Sequence, residues 1–102
     1  MSVIAVNKNN FEQEVINSDR LVLLDFFAVW CGPCRMLSPI VEKISNEHSE
    51  YKVCKVNVDE EPELAEKFEV MSIPSLFVVK NGQIVNSSVG ALPEAQILAM
   101  LK

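Results

Sequence analysis

The sequence has few of the features that would make it a membrane, nucleic-acid-binding or disulfide-stapled protein. Nine Lys and Arg residues stand against 14 Asp and Glu residues, so no basic surface is available for nucleic acid or an anionic membrane. No apolar run approaches the roughly 18 residues that a membrane span needs. The odd count of three cysteines argues against a secreted disulfide framework and fits a reducing compartment. We therefore expect no nucleic-acid or membrane partner and a cytoplasmic location.

Glycine is also scarce, and no repeat, linker or low-complexity tract is present. The 102 residues contain three Gly and are 49% hydrophobic, which fits one domain over residues 1–102 that buries its own core. The first ten residues lack a basic stretch followed by an apolar one, so the sequence as given carries no signal peptide. Strand-like and helix-like patterns alternate, which is typical of an α/β domain.

The segment at 30–35, WCGPCR, stands where a strand-like run ends and an amphipathic helix-like run begins. Two cysteines at i and i+3 of a first helical turn lie on one face, so Cys31 and Cys34 can form a small disulfide ring. Unpaired N–H groups and the helix dipole lower the pKa of a thiol at a helix start. The pattern therefore indicates a redox site with Cys31 as its exposed, reactive thiolate. Gly32 allows close backbone approach, and Pro33 is tolerated in the first turn.

A zinc site and a pair of inert buried thiols are the alternatives. A closed zinc site needs four ligands, and the remaining candidates, Cys54 and His48, do not have metal-ligand spacing. We therefore expect no metal. Cys54 lies in a strand-like segment and fits a small buried hydrophobe, whereas His48 fits a solvated helix end.

The periodicity of apolar residues predicts the order of the elements. Asn10 and Gln13 form a possible capping box at the start of the first helix, and Pro39 should kink the second. Asn81 and Gly82 are the strongest short signal for a β-hairpin, so the sheet should be mixed. The expected strands are 3–6, 21–28, 51–58, 75–80 and 83–89, and the expected helices are 11–18, 31–48, 62–68 and a terminal one from 93.

Together these patterns resemble the thioredoxin family over essentially the whole chain. The segments that carry the resemblance are DF at 25–26, WCGPC at 30–34, a proline at 39, KVNVD at 55–59, IPS at 73–75, KNG at 80–82 and VGA at 89–91. The resemblance implies the thioredoxin fold, with a central five-stranded mixed β-sheet flanked by four α-helices. The strands that begin at 21 and 51 should lie near the centre of that sheet.

The resemblance also implies a monomeric general protein disulfide reductase. In that activity Cys31 attacks a disulfide of a substrate protein, and Cys34 resolves the mixed disulfide and releases the reduced product. No nucleotide-binding Gly-rich loop is present, so no cofactor is expected. The implied partners are disulfide-containing substrate proteins and an NADPH-fed thioredoxin reductase that recycles the chain.

Further residues should tune the site. Asp25 interrupts an apolar strand, so burial should raise its pKa and suit it to exchange a proton with Cys34. The resemblance places Lys55 near this acid and makes the bond before Pro74 a cis peptide. It also implies an apolar groove that pairs with an extended substrate strand. The groove residues are Trp30, Gly32, Ile73, Val89, Gly90 and Ala91.

Three departures from the family pattern affect partner choice and redox poise. Phe27 stands where a second Trp is frequent, Val29 where an acid is common, and MS at 71–72 where a pair such as RG often occurs. A disulfide isomerase or oxidant on the same fold is one alternative, although Gly32 and Pro33 resemble the reducing members, and oxidising ones usually carry a His beside the second cysteine. A redox-gated binding subunit without turnover is the other alternative.

Overall fold

A computed structural model describes residues 3–102, which form one β-sheet covered by helices on both faces. The strands are β1 (Ile4–Ala5), β2 (Leu21–Phe27), β3 (Tyr51–Asn57), β4 (Ser75–Lys80) and β5 (Gln83–Val89). The helices are α1 (Gly32–Glu47), α2 (Pro62–Lys67) and α3 (Glu94–Met100), and a π-helical segment, Glu12–Ile16, precedes β2. None of the helices described is long and apolar enough to cross a membrane.

The sheet is mixed, as predicted, with the order β1-β3-β2-β4-β5. Strands β1, β3 and β2 run parallel, whereas β4 is antiparallel to both β2 and β5. The expected strands agree with the observed ones to within a residue, except that β1 has two residues in place of the four expected at 3–6. The long parallel pairing of β2 with β3 places the end of β2 and the end of β3 at one edge of the sheet.

Strand β2 is apolar on both of its faces because both faces are covered. Leu24 and Phe26 point into one core layer, and Leu23 points into the other. We call these the aromatic layer and the α1 layer. Asp25 is the one buried charged residue of the strand.

The two layers are built differently. In the aromatic layer, the rings of Phe11, Phe26, Phe68 and Phe77 pack with centroids 5.0 to 5.8 Å apart, within the favourable range for aromatic pairs. The buried side chains of the α1 layer are all aliphatic. Its helical side chains are Leu37, Val41 and Ile44 from α1 and Ile97 and Leu101 from the α3 region.

The segment after β1 differs from the predicted capped helix. The Oδ1 atom of Asn10 accepts a hydrogen bond from the Asn7 N–H at 2.8 Å, and its amide donates to the Ala5 carbonyl at 3.1 Å. The predicted capping box with Gln13 is therefore wrong, because Asn10 satisfies backbone groups of the turn before it. The helix is π-helical, with the Asn17 N–H bonded to the Glu12 carbonyl.

Strands β4 and β5 form the predicted hairpin. Asn81 and Gly82 have φ angles of 52° and 80°, which is the pair of positive values that a type I′ turn requires. The pairing register shifts between Val78 and Val79. Strand β5 is an edge of the sheet, and most of its residues are exposed.

Helix α2 ends in a left-handed residue that is not glycine. The Glu69 N–H donates to the Glu66 carbonyl at 3.0 Å, and the Val70 N–H donates to the Ala65 carbonyl at 2.9 Å. This pair of bonds is a Schellman motif, in which the left-handed position is usually Gly. Here Glu69 occupies that position with a φ of 55°.

Candidate active site

The two cysteines of the WCGPCR segment are joined at the start of α1. Cys31 is the N-cap residue of the helix, and Cys34 lies in its first turn, with 5.2 Å between their Cα atoms. The structure contains the Cys31–Cys34 disulfide. Gly32 and Pro33 form the first two helical positions, where the missing N–H of proline leaves no bond unmade.

The electrostatics of the helix start distinguish the two sulfur atoms. The backbone N–H of Cys34 points at the Sγ atom of Cys31, at a distance of 3.2 Å. The first turn of α1 contains no acidic residue, so no carboxylate within that turn weakens the positive end of the dipole. A negative charge on Cys31 is therefore stabilised by a hydrogen bond and by the helix dipole together.

Exposure, in contrast, does not distinguish them. Cys31 is 5% exposed and Cys34 is 4% exposed, so the expectation of an exposed Cys31 is wrong for the disulfide form. Both sulfur-bearing residues pack against Ala28 and Ile73. The sequence predicts that Cys31 begins a helix, but it does not predict that Cys31 is buried. Ile73, which packs against Cys31, comes from a segment 42 residues further along the chain.

Asp25 is buried and lines the same small cavity as Cys34. It is 4% exposed, and its Oδ1 atom has no hydrogen-bond partner among the described residues. Burial raises the pKa of Asp25 from 3.8 to about 7, and the nearby charge of Lys55 opposes part of that increase. An acid with a pKa near neutrality can exchange a proton at physiological pH.

A cavity of about 40 Å³ connects Asp25 with the second cysteine. Asp25, Cys34 and Lys55 line it, together with Ser38 and Glu42 of α1. Such a space is large enough for a water molecule, and its polar lining offers several partners. Asp25 and Cys34 therefore share one small cavity whose lining includes polar side chains.

Lys55 pairs with Asp25 in the register of β2 and β3. Its Nζ atom lies 5.7 Å from the centroid of the Phe27 ring, a cation–π distance. Phe27, noted in the sequence only as a departure from the family pattern, thus holds the ammonium group beside the cavity.

Trp30 lies at the rim of the site and is 66% exposed. Its Nε1–H donates to the Oδ2 atom of Asp59 at 2.8 Å. Asp59 is held in turn by Asn57, whose side-chain oxygen accepts from the Asp59 N–H at 2.9 Å. Asp59 was not predicted as a site residue. Its position in the segment at 55–59 was the only signal, because the contact joins two segments far apart in the sequence.

The opposite wall is the segment around Pro74. The Ile73–Pro74 bond is cis, as predicted, and the Ile73 carbonyl oxygen lies 3.9 Å from the Sγ atom of Cys31. The Gly90 N–H donates to the Pro74 carbonyl at 2.7 Å, which fixes the end of β5 beside this segment. Gly90 has a φ of 96°, a value that favours glycine.

The hydrogen bond between Gly90 and Pro74 also positions the neighbouring groove residues of the β5 end, Val89 and Ala91. Val89 is 66% exposed, and Ala91 is exposed on the other side of Gly90. Trp30 and Ile73 line a common cavity. The structure therefore brings the predicted groove segments to one edge of the sheet, around the disulfide.

A group of three possible metal-ligand side chains occurs at the other end of α1. Glu47, His48 and Glu94 have potential ligand atoms within 4.8 Å of one another. Lys43 already forms an ion pair with Glu94 at 3.0 Å. Among residues 3–102, the Cys31–Cys34 pair is not part of such a group.

The chain is similar to known thioredoxins over nearly its whole length. The thioredoxin family model matches residues 2–102. The thioredoxin of Porphyra purpurea is 46% identical over 102 residues, which cover 99% of this chain and 95% of that protein. The thioredoxin of Haemophilus influenzae is 45% identical over 96 residues, with coverages of 93% and 90%. Thioredoxin 1 of Synechococcus elongatus is 48% identical over 99 residues, with coverages of 95% and 92%.

Proposed function

Because the chain belongs to the thioredoxin family, we propose a specific division of labour within its redox site. The protein is a disulfide oxidoreductase whose Cys31–Cys34 pair alternates between dithiol and disulfide. The thiolate of Cys31 attacks one sulfur of a substrate disulfide, forms a mixed disulfide and releases the first substrate thiolate. Cys34 then attacks the Sγ atom of Cys31, which closes the Cys31–Cys34 disulfide and releases the second substrate thiol.

The observation that carries this assignment is the hydrogen bond from the Cys34 N–H to the Sγ atom of Cys31. It supports a thiolate on Cys31 in the reduced protein, because the same donor and the helix dipole stabilise negative charge there. Cys34 has its own backbone N–H committed to the partner sulfur. The N-terminal cysteine is therefore the attacking group, and the second one resolves.

Asp25 takes up the proton of Cys34 during resolution. The cavity shared by Asp25 and Cys34 supports this role, and a pKa of about 7 allows the acid to accept and return a proton near neutral pH. Lys55 is a positioning residue whose charge moderates the pKa of Asp25.

An extended segment of the substrate protein binds along the rim. Trp30, Val89 and Ala91 supply exposed surface, and the backbone of Ile73, beside Pro74 and Gly90, supplies groups for strand-like pairing. Pairing through the backbone does not depend on the substrate's sequence, which suits a general reductase.

Reducing equivalents come from a separate thioredoxin reductase fed by NADPH. The sequence carries no Gly-rich nucleotide loop that would bind the nicotinamide cofactor directly. The odd cysteine count fits a reducing compartment, and we assign the cytoplasm.

Trapping the intermediate tests the division of labour. Cys34→Ser should accumulate a mixed disulfide with insulin, seen by mass spectrometry, because no resolving thiol remains. Cys31→Ser should form none. Cys54→Ala is the matched control and should reduce insulin at the parent rate when a reductase and NADPH are supplied. Trapping by Cys31→Ser but not by Cys34→Ser would reverse the assignment.

A further inference from the structure

An apolar cavity lies next to Ile73, which packs against the two cysteines, on the side of helix α2. It has a volume of about 210 Å³, and its lining includes Trp30, Val70, Met71 and Ile73. A wider depression of about 760 Å³ continues from it along α2 and shares Val58, Ala65, Val70 and Met71 with it. We refer to the two together as the α2 groove.

The near end of the α2 groove is within reach of the reacting sulfur. Ile73 lines the cavity, and its carbonyl oxygen is 3.9 Å from the Sγ atom of Cys31. Trp30, which forms the other wall, directly precedes Cys31 in the chain. When Cys31 attacks a substrate cysteine, the side chain next to that cysteine is therefore within reach of this cavity.

Met71 forms the outer wall of the α2 groove, with 93% of its surface exposed. Methionine is unbranched and adaptable, so it can pack against apolar side chains of different shapes. The exposed Trp30 lines the same cavity, and a group of exposed apolar side chains beside a reaction centre is typical of a binding surface.

The far end of the α2 groove is acidic. Residues 59–69 contain six acidic residues and one lysine. Among the acids, Glu61 accepts from the Lys8 N–H at 3.1 Å, and Glu63 is 4.0 Å from the Lys8 ammonium. The lysine, Lys67, lies 5.9 Å from the centroid of the Phe11 ring, outside the lining of the groove.

Two carboxylates on the groove are left without a counter-charge. Glu66 and Glu69 line it, and neither has an ion-pair partner within residues 3–102. Glu69 is held there at a φ of 55°, a conformation that side chains rarely adopt. The backbone thus presents a carboxylate where a glycine would form the helix end more easily.

We propose that the α2 groove selects disulfide substrates that carry an apolar residue beside the reacting cysteine and a Lys or Arg further along the same segment. The apolar side chain packs between Trp30, Ile73 and Met71, and the cation is attracted to Glu66 and Glu69. The inference rests on the proposed attack by Cys31. It adds a preference for certain substrate sequences to the pairing with the substrate backbone described above.

Four short peptides test the preference, each with one cysteine in a mixed disulfide with 2-nitro-5-thiobenzoate. The residue on each side of the cysteine is leucine or glycine, and the residue further out on each side is lysine or glutamate, which gives four combinations. Each peptide is symmetric about its cysteine, so the direction in which it binds does not matter. Attack by Cys31 on the peptide sulfur releases coloured thionitrobenzoate, and Cys34 then releases the peptide thiol. Each rate is divided by that of the symmetric small-molecule disulfide of the same reagent in the same variant.

The peptide with leucine and lysine should react about tenfold faster than the one with glycine and glutamate at low salt, and added salt should remove the lysine part of that advantage. Met71→Ser should reduce the leucine advantage alone. The double variant Glu66→Gln, Glu69→Gln should reduce the lysine advantage alone. The single variants Glu66→Gln and Glu69→Gln should each reduce the lysine advantage in part. Glu63→Gln is their matched control, because it also removes one charge but lies outside the groove lining, and it should keep both advantages.

The outcomes separate the two claims. Equal relative rates for all four peptides, with the small disulfide and insulin still reduced, would overturn the selective groove and leave the exchange mechanism intact. Loss of the lysine advantage in Glu63→Gln to the same degree as in Glu66→Gln or Glu69→Gln alone would also overturn it, because a general negative field would then be the cause. Failure to reduce insulin, the small disulfide and every peptide would overturn the proposed function itself.

Discussion

Two buried regions of the molecule, the aromatic layer and the small cluster around the disulfide, hold cysteines in opposite electrostatic environments. On the aromatic layer, Cys54 is surrounded by apolar side chains, and burial raises the pKa of its thiol to about 12. Cys31 is also buried, in a small cluster with Ala28 and Cys34, but it is the N-cap residue of α1 and faces a donor N–H. Both sulfur atoms are hidden from water, yet only one has an environment that stabilises its charged form.

This contrast shows that burial alone does not decide whether a group is reactive. Desolvation disfavours the charged form of both a thiol and a carboxyl, and the nearby dipoles and charges determine whether that cost is offset. For Cys54, the charges of Lys52 and Arg20 lower the pKa by less than burial raises it. Asp25 lies between the two extremes, because Lys55 offsets only part of its desolvation.

The largest expected effect is the difference in thiol reactivity between Cys31 and Cys54, which lie in these two regions. With a pKa of about 12, Cys54 has a thiolate fraction of about 10⁻⁵ at pH 7. Iodoacetamide should therefore modify Cys31 of the reduced native protein at least about 1000-fold faster than Cys54. Peptide mapping by mass spectrometry measures both rates, and denaturant should equalise them. Equal labelling in the native protein would break the comparison.

Asp25 provides the next largest effect. Its folded pKa of about 7 lies above its ordinary value of 3.8, so the folded state binds the proton more tightly than the unfolded state does. The stability that protonated Asp25 contributes is present below about pH 4 and is lost as pH rises through 7. From pH 4 to pH 8, Asp25→Asn should thus gain about 4 kcal/mol in unfolding free energy relative to the parent.

Urea unfolding of the oxidised proteins at both pH values measures this gain, since the disulfide prevents titration of Cys31 and Cys34. The same variant should reduce insulin more slowly at neutral pH, because the acceptor for the proton of Cys34 is missing. A constant stability difference across the pH range would show that Asp25 is not the desolvated acid of the α1 layer. An unchanged rate would remove it from the mechanism.

The smallest effect concerns the helix that covers the aromatic layer. Glu69→Gly should stabilise the protein by about 1 kcal/mol, because glycine adopts the left-handed conformation without the clash of a Cβ atom. Glu66→Gly, the same change one turn earlier inside α2, should instead destabilise it by about 1 kcal/mol. Thermal or urea unfolding measures both. Destabilisation by Glu69→Gly would show that its side chain contributes to packing as well as to charge.

Most of the fold could be predicted because its signals are local. Apolar runs of β-branched residues mark the strands, and Asn81 and Gly82 fix the hairpin through their own backbone preferences. The helix start at Cys31 and the burial of Asp25 and Cys54 are also visible in the sequence, because each lies in a strongly periodic or apolar segment. These features do not depend on which distant residue comes to lie nearby.

The features that could not be predicted from the sequence are those in which a side chain can form a hydrogen bond or contact with more than one group, and only the fold decides which one. Asn10 can bond forward into a helix or back to the preceding turn, and only the fold shows that it bonds back. The contact of Trp30 with Asp59 joins segments 29 residues apart. The left-handed Glu69 violates a local preference, so a reading based on such preferences assigns glycine, not glutamate, to that position.

The shifted register between Val78 and Val79 also affects how the molecule behaves among its own copies. Strand β5 is an edge of seven residues with Ile84 and Val85 exposed, the type of edge that can add a strand from another chain and seed aggregates. A bulge bends and twists the strands around it, so the outer backbone groups of β5 do not form a flat template. The irregularity thus makes β5 a poor template for edge-to-edge pairing with another chain, although Ile84 and Val85 are exposed on it.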